Sequence, residues 1–187
     1  SYSGGGVYAQ ESSVVRNCTI VRNSAVNGGG VSQVGSAQIL NTVVTDNILY
    51  EGTTLNNLAF ANGSKFSYCC IQPTNGLSGA GNTDLSANLD WGDPLFRPKL
   101  GSACIDMGLN EGWMTGATDL AGSARVINGT VDIGSLEFLE PDVLTCGFTA
   151  SPASGAGSVL VTLEAAVAGP GQTGLVYSWD FENDGVY

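Results

Sequence analysis

The sequence predicts an all-β fold, built over most of its length as a parallel β-solenoid, and three observations carry that expectation. A phrase is repeated: "GGGVYAQESSVVRNCTIVRN" at residues 4–23 returns as "GGGVSQVGSAQILNTVVTDN" at residues 28–47, 24 residues on. The repeat contains short β-branched runs broken by Gly and Asn, and no segment has the i, i+3, i+4, i+7 apolar spacing of a helix. Composition agrees, with 27 glycines among 187 residues and only 12% charged positions, which describes a turn-rich globular chain. A fixed period of about 20–50 residues marks a stacked array in which each unit buries its apolar face against its neighbours. A β-sandwich would require neither equal spacing nor matched asparagines.

Overlaying the copies gives each coincidence a physical meaning. Val7 falls on Val31, Val15 on Ile39 and Ile20 on Val44, forming interior columns of layers about 4.8 Å apart. Asn17 falls on Asn41 and Asn23 on Asn47, so that carboxamides can hydrogen-bond up the stack while sitting in left-handed turns. Arg22 falls on Asp46, placing opposite charges on neighbouring layers. The GGG tracts mark a corner where a Cβ would clash. A third layer, from about Gly52 to Cys70, keeps strand-like ends but loses the Asn and Gly signature, as a terminal layer should.

The charge balance bounds the partners. Seventeen acidic residues against six basic ones give a formal charge of −11, which repels phosphate backbones and anionic lipid. Nucleic acid is therefore not expected as a partner. No apolar run approaches the roughly 20 residues of a membrane span, so no membrane insertion is expected in this segment. No basic-then-apolar leader is read ahead of the repeat, so any targeting signal is expected to have been removed or to lie upstream. Five cysteines (Cys18, Cys69, Cys70, Cys104 and Cys146) lack C-x-x-C spacing and have no histidine beside them, which argues against a zinc site. Cys69 and Cys70 are either buried small hydrophobes or, for one of them, a disulfide partner of Cys104 in an oxidising compartment.

Residues 71–140 use a different vocabulary. The ordered motifs Asp93-Pro94-Leu95-Phe96, Ser102 to Gly108, Asp119-Leu120, Arg125 and Gly129 to Glu137 resemble the C-terminal closing segment of right-handed parallel β-helix proteins of the pectate-lyase-like superfamily. These are large secreted or surface proteins of bacteria, and with the two repeats the resemblance covers about residues 1–140. It implies that Val131, Ile133 and Leu136 form a last strand laid over the layers. It also implies that Ile105 and Met107 point inward and that Asp119 pairs with Arg125. Cysteines at the places of Cys69/Cys70 and Cys104 are common in that family, which agrees with the bridge.

From residue 141 the style changes again, to alternating strands with Ser/Gly/Pro turns and then "WDFENDG". This resembles the first half of a polycystic-kidney-disease-type (PKD) immunoglobulin-like β-sandwich, incomplete at residues 141–187. Such a half-sandwich is expected to rest against another chain or a continuation. Asp180, Glu182 and Asp184 alternate before a glycine like the start of a calcium loop. The competing reading makes Asp180 and Asp184 Asx-turns, with Trp179 in the sandwich core.

Function is expected to be non-catalytic: a stalk, adhesin or filament component outside a bacterial cell, with end-to-end self-association at an open edge. The competing class is a fragment of a secreted carbohydrate-active enzyme or a carbohydrate-binding protein, with polysaccharide as the partner. Two carboxylates about 5–10 Å apart on one sheet face, beside aromatics, would mark that class. Arg16, Arg22, Asp46, Glu11 and Glu51 offer no such pair. Trp91, Trp113 and Tyr50 either stack on sugars or cover the open end of the stack. The N-x-[ST] triplets at Asn17, Asn62 and Asn128 are read as ladder composition without glycans.

Overall fold

The computed structural model describes residues 2–84, 86–139, 145–151 and 162–168. The chain divides into two compact units, Ser1–Phe138 and Leu139–Tyr187. Among the described residues there is no α-helix, and none long and apolar enough to cross a membrane.

The first unit contains short strands that pair in parallel with strands one turn of chain later. The first layer holds β1 (Val7–Ala9), β2 (Val14–Arg16), β3 (Thr19–Val21) and β4 (Ser24–Ala25). The second holds β5 (Val31–Gln33), β6 (Gln38–Leu40), β7 (Val43–Thr45) and β8 (Ile48–Leu49). The third holds β9 (Leu58–Phe60), β10 (Phe66–Ser67) and β11 (Cys70–Ile71). Sheets run β1-β5-β9, β2-β6-β10, β3-β7-β11 and β4-β8. The register sets Val7 on Val31, Val15 on Ile39 and Ile20 on Val44, as the overlay of the copies predicts. This arrangement is compatible with a parallel β-helix.

Inward columns form one core, in which Val31, Ile39, Val44, Phe66 and Ile71 are fully buried. The corners explain the glycine tracts. Gly4 and Gly28 have φ of +64° and +58°, and a Cβ on Gly5 would collide with the carbonyl of Gly29 in the next layer. The third layer steps by 27 residues rather than 24, because Leu58 pairs with Val31 after an excursion through residues 50–57. Residues 77–84 then cross the edge of that layer, where Thr83 bridges Cys70 in parallel.

In the second unit β12 (Thr145–Ser151) pairs antiparallel with β13 (Thr162–Ala168).

Candidate functional site

Residues 102–138 form no strand. Instead of closing the end of the stack, they lie along the outer face of the β3-β7-β11 sheet and touch all three layers. Ser135 N–H donates to Thr19 Oγ1 in the first layer at 3.1 Å. Gly134 N–H donates to Asn41 O in the second at 2.9 Å, and the Asn41 side chain makes a matched pair with the Leu109 backbone, at 2.8 and 2.9 Å. Cys104 lies against Cys70 in the third, and Val43, Cys70, Ala87, Leu89, Cys104 and Ile133 form a second apolar cluster. The outward column Thr19–Val43–Cys70 is thus what this segment covers.

Two arginines of the first layer meet the chain beside this face, Arg16 within the segment and Arg22 ahead of it at residues 91–96. Arg16 Nη1 reaches both Glu111 oxygens, at 3.3 and 3.4 Å, while Trp113 Nε1 donates to Glu111 Oε2 at 2.9 Å. Arg22 stacks on Trp91 and Phe96, with its guanidinium carbon 4.6 and 5.4 Å from the ring centroids. Both tryptophans therefore cover the flank of the stack and not its open end. Nearby, Asp93 pairs with Arg97 at 2.6 Å and Asp90 with Lys99 at 3.8 Å.

Inside the cover sits a cluster of buried charges. Arg125, 2% exposed, pairs with Glu137, 1% exposed, at 3.3 Å and donates to the carbonyls of Asp132 and Gly134. The expected Asp119–Arg125 pair is not made. Asp119 instead accepts from the backbone N–H groups of Ala121, Ser123 and Glu137, holding a turn as an Asx cap does. Asp132 accepts from the N–H groups of Asp106 and Phe138. Burial pushes the Glu137 carboxyl up to about 7 and raises Asp132, outweighing the pull of Arg125; burial also lowers Arg125. Every carboxylate of the cluster thus holds the backbone of the cover in place. Among the described residues no group of His, Cys, Asp and Glu could hold a metal ion.

The ladder residues divide their two expected roles. Asn17 and Asn41 take the left-handed corner, with φ of +50° and +46°, but make no side-chain ladder. Asn41 serves the cover, and the Asn17 carboxamide atoms are buried without a partner. Asn23 and Asn47 take the ladder without the left-handed φ. The Asn23 backbone and side-chain N–H groups both donate to Asn47 Oδ1 at 3.0 Å, and Asn47 does the same to Asn57 Oδ1 at 3.0 Å. The third layer therefore keeps its asparagine. It comes from Asn57, which lies where Gly30 stands in the second layer, a corner that the 24-residue overlay does not compare.

Arg22 and Asp46 do not pair. Both adopt left-handed φ, of +57° and +52°, Arg22 turns to the aromatic rings, and Asp46 accepts from Thr45 Oγ1. Met107 is exposed rather than inward, because Ser102 and Cys104 take the buried places in that loop. The expected bridge is also absent. No disulfide joins Cys18, Cys69, Cys70 and Cys104; burial raises Cys69 to about 12, and the Cys70 contact together with burial raises Cys104. Asp180, Glu182 and Asp184 lie outside the described residues. Asn62 caps a short 3-10 turn through its own carboxamide oxygen, and Asn128 sits in a left-handed turn.

Strands β1–β11 contain no Asp or Glu; their exposed or half-exposed side chains are Ser, Thr, Gln and aliphatic groups with Tyr8, Phe60 and Arg16. A recess of about 530 Å³ lies in the cover between Asn110, Glu111, Met114, Thr118 and Val126. No protein family matches the chain, and no match is found among curated proteins or solved structures.

Proposed function

We propose that the chain is a non-catalytic structural and adhesive module of a larger bacterial protein, displayed outside the cell in a stalk, adhesin or filament. In this reading residues 1–140 are right-handed parallel β-helix layers with the family's C-terminal segment, laid here along one sheet face, and residues 141–187 begin a PKD-type domain. The observation that carries it is the cover: one segment grips three in-register layers, and its carboxylates are spent on ion pairs and turn N–H groups. That arrangement resists extension and proteolysis. The strand faces supply no acid–base pair of the kind glycoside hydrolysis uses.

The test combines mechanical stretching of single molecules with a depolymerisation assay on neutral and acidic polysaccharides. Residues 1–138 are expected to rupture as one event, with no new reducing ends or unsaturated products. Turnover that disappears in Glu111→Gln would overturn the reading in favour of a carbohydrate-active enzyme. A carbohydrate-binding role is the second reading, favoured by the recess beside Glu111 and by Trp113, which is 46% exposed. Under it, glycan-array binding is lost in Trp113→Ala. Calcium at Asp180, Glu182 and Asp184 belongs to the PKD-type proposal, and a calcium-dependent rise in melting temperature that Asp184→Ala abolishes is its test.

A further inference from the structure

The recess in the cover combines two sealed side chains with a braced turn. Met114 and Arg125 both line it and are each only 2% exposed. Residues 115–118 and 124–126 form its wall, where Arg125 N–H donates to Ala117 O at 2.9 Å and Asp119 N–H to Ser123 O at 2.8 Å. A volume of about 530 Å³ suits a small molecule. The whole lining falls between residues 110 and 126, so the space is local to the cover and does not run along the strands. Arg125 spends Nη2 on the Asp132 and Gly134 carbonyls and on Glu137, whereas its Nε is buried with no acceptor. Buried donors are rarely left unpaired, and an unmet one on a side chain lining a recess points to an acceptor that belongs there.

The rim says which acceptor fits. Glu111 lines the recess, and its Oε2 accepts from Trp113 Nε1 at 2.9 Å, while the Arg16 guanidinium carbon lies 5.9 Å from the indole centroid. Trp113 is thus 46% exposed yet held at its nitrogen edge, a flat apolar surface with little freedom to lose on contact. Glu111 is paired by Arg16 and Arg125 by Glu137, with Asp119 and Asp132 also close to Arg125. No unpaired cation among the described residues therefore faces the recess, and the chain carries a formal charge of −11, so an anionic ligand is repelled. The polar groups offered are of both kinds: carboxylate acceptors on Glu111, a donor on Arg125, and exposed Thr115 and Thr118 hydroxyls that can do either. An uncharged ring with one apolar face and hydroxyls around its edge answers all of these at once. We propose that the recess and its rim bind two adjoining rings of a neutral pyranose glycan. One ring stacks on Trp113; the next sits in the recess and bonds Glu111, Thr115 and Thr118. Arg16 is a positioning residue that fixes Glu111 and the indole. This inference rests on the carbohydrate-binding reading given above and narrows it to uncharged sugars.

The probes are the neutral disaccharides cellobiose, maltose and lactose, and the acidic digalacturonate, each titrated into the full chain. Tryptophan fluorescence and saturation-transfer NMR follow binding. At least one neutral disaccharide is expected to bind saturably, and digalacturonate to bind more weakly than it. Trp113→Ala should weaken the neutral sugar about tenfold, with part of the loss recovered in Trp113→Phe. Thr118→Val removes one exposed hydroxyl at nearly constant volume, and should weaken binding about fivefold with the melting temperature unchanged. Absence of saturable binding by every neutral disaccharide overturns the proposal, as does binding that neither Trp113→Ala nor Thr118→Val alters. Tight binding of digalacturonate alone, lost in Trp113→Ala, also overturns it, but leaves the carbohydrate-binding reading standing.

Discussion

Asn47 accepts the backbone N–H and the side-chain N–H of Asn23 on one carboxamide oxygen, both at 3.0 Å, and donates its own backbone and side-chain N–H groups to Asn57 Oδ1, again at 3.0 Å. Because Asn47 is fully buried, removing its side chain strands donors below it and an acceptor above it. Asn47→Ala is expected to cost about 2–4 kcal/mol. Asn17→Gly is expected to act in the opposite direction, by about 1 kcal/mol: it deletes two unpartnered buried polar atoms and suits a φ of +50°. Denaturant unfolding of both variants checks the pair, and equal costs would contradict the division of roles between the two asparagine columns.

The Arg22–Trp91 stack gives a second expectation. Arg22 is exposed, so its coupling to Trp91 should be about 1 kcal/mol by double-mutant cycle. Asp46→Asn should leave stability within about 0.5 kcal/mol, because no ion pair with Arg22 is lost. A large effect at Asp46 with none at Trp91 would restore the charge-pair reading. Tryptophan fluorescence of the single variants offers an independent readout.

The buried charges set a pH dependence. Glu137 titrates near 7 in the fold, above its ordinary value of 4.5, so the native state holds more protons than the unfolded chain between those values. Stability is therefore full below about pH 4.5 and falls as pH rises through 7, and the raised Asp132 acts in the same sense. The size is about 3 kcal/mol. Glu137→Gln should flatten this slope, whereas Arg125→Met should cost more than about 3 kcal/mol by leaving carboxylates buried without their cation. Urea midpoints from pH 4.5 to 8 test the sign, and a midpoint that climbs with pH in the native protein would refute it.

Thiol chemistry gives a fourth expectation. Cys18 is half-buried, whereas Cys69, Cys70 and Cys104 are sealed, and burial raises Cys18 and Cys69. Of these four, an alkylating reagent should modify Cys18 alone, slowly, in the folded chain, and all four after denaturation. Mass spectrometry of peptides counts them, and a Cys70–Cys104 peptide joined by a bridge would show that the pair oxidises.

The layers were legible because a period is a physical constraint: Val7 on Val31 or Ile20 on Val44 is visible wherever spacing is constant. Legibility ended where spacing changed. The excursion through residues 50–57 shifts the third layer by three residues, and its ladder asparagine enters from the corner that Gly30 occupies, so no overlay aligns Asn57 with Asn47. In the cover, the burial of Val131, Ile133 and Leu136 was readable from hydrophobicity. Which acid Arg125 chooses was not, since Asp119, Asp132 and Glu137 all lie within reach and backbone N–H groups decide between them. The adjacency of Cys70 and Cys104 was anticipated, but as a disulfide that the structure does not contain.

The segment along the β3-β7-β11 face works as a splint. A load applied along the stacking direction cannot peel away one turn at a time, since the first, second and third turns are each fastened to the same strip. Separation then demands simultaneous failure of strand ladder and splint. The order of assembly follows as a hypothesis: the strip has nothing to grip until Thr19, Val43 and Cys70 stand in line. Pulse-labelled hydrogen exchange should therefore find amides of β3 and β7 protected before those of Ile133 and Gly134, and the reverse order would refute the idea.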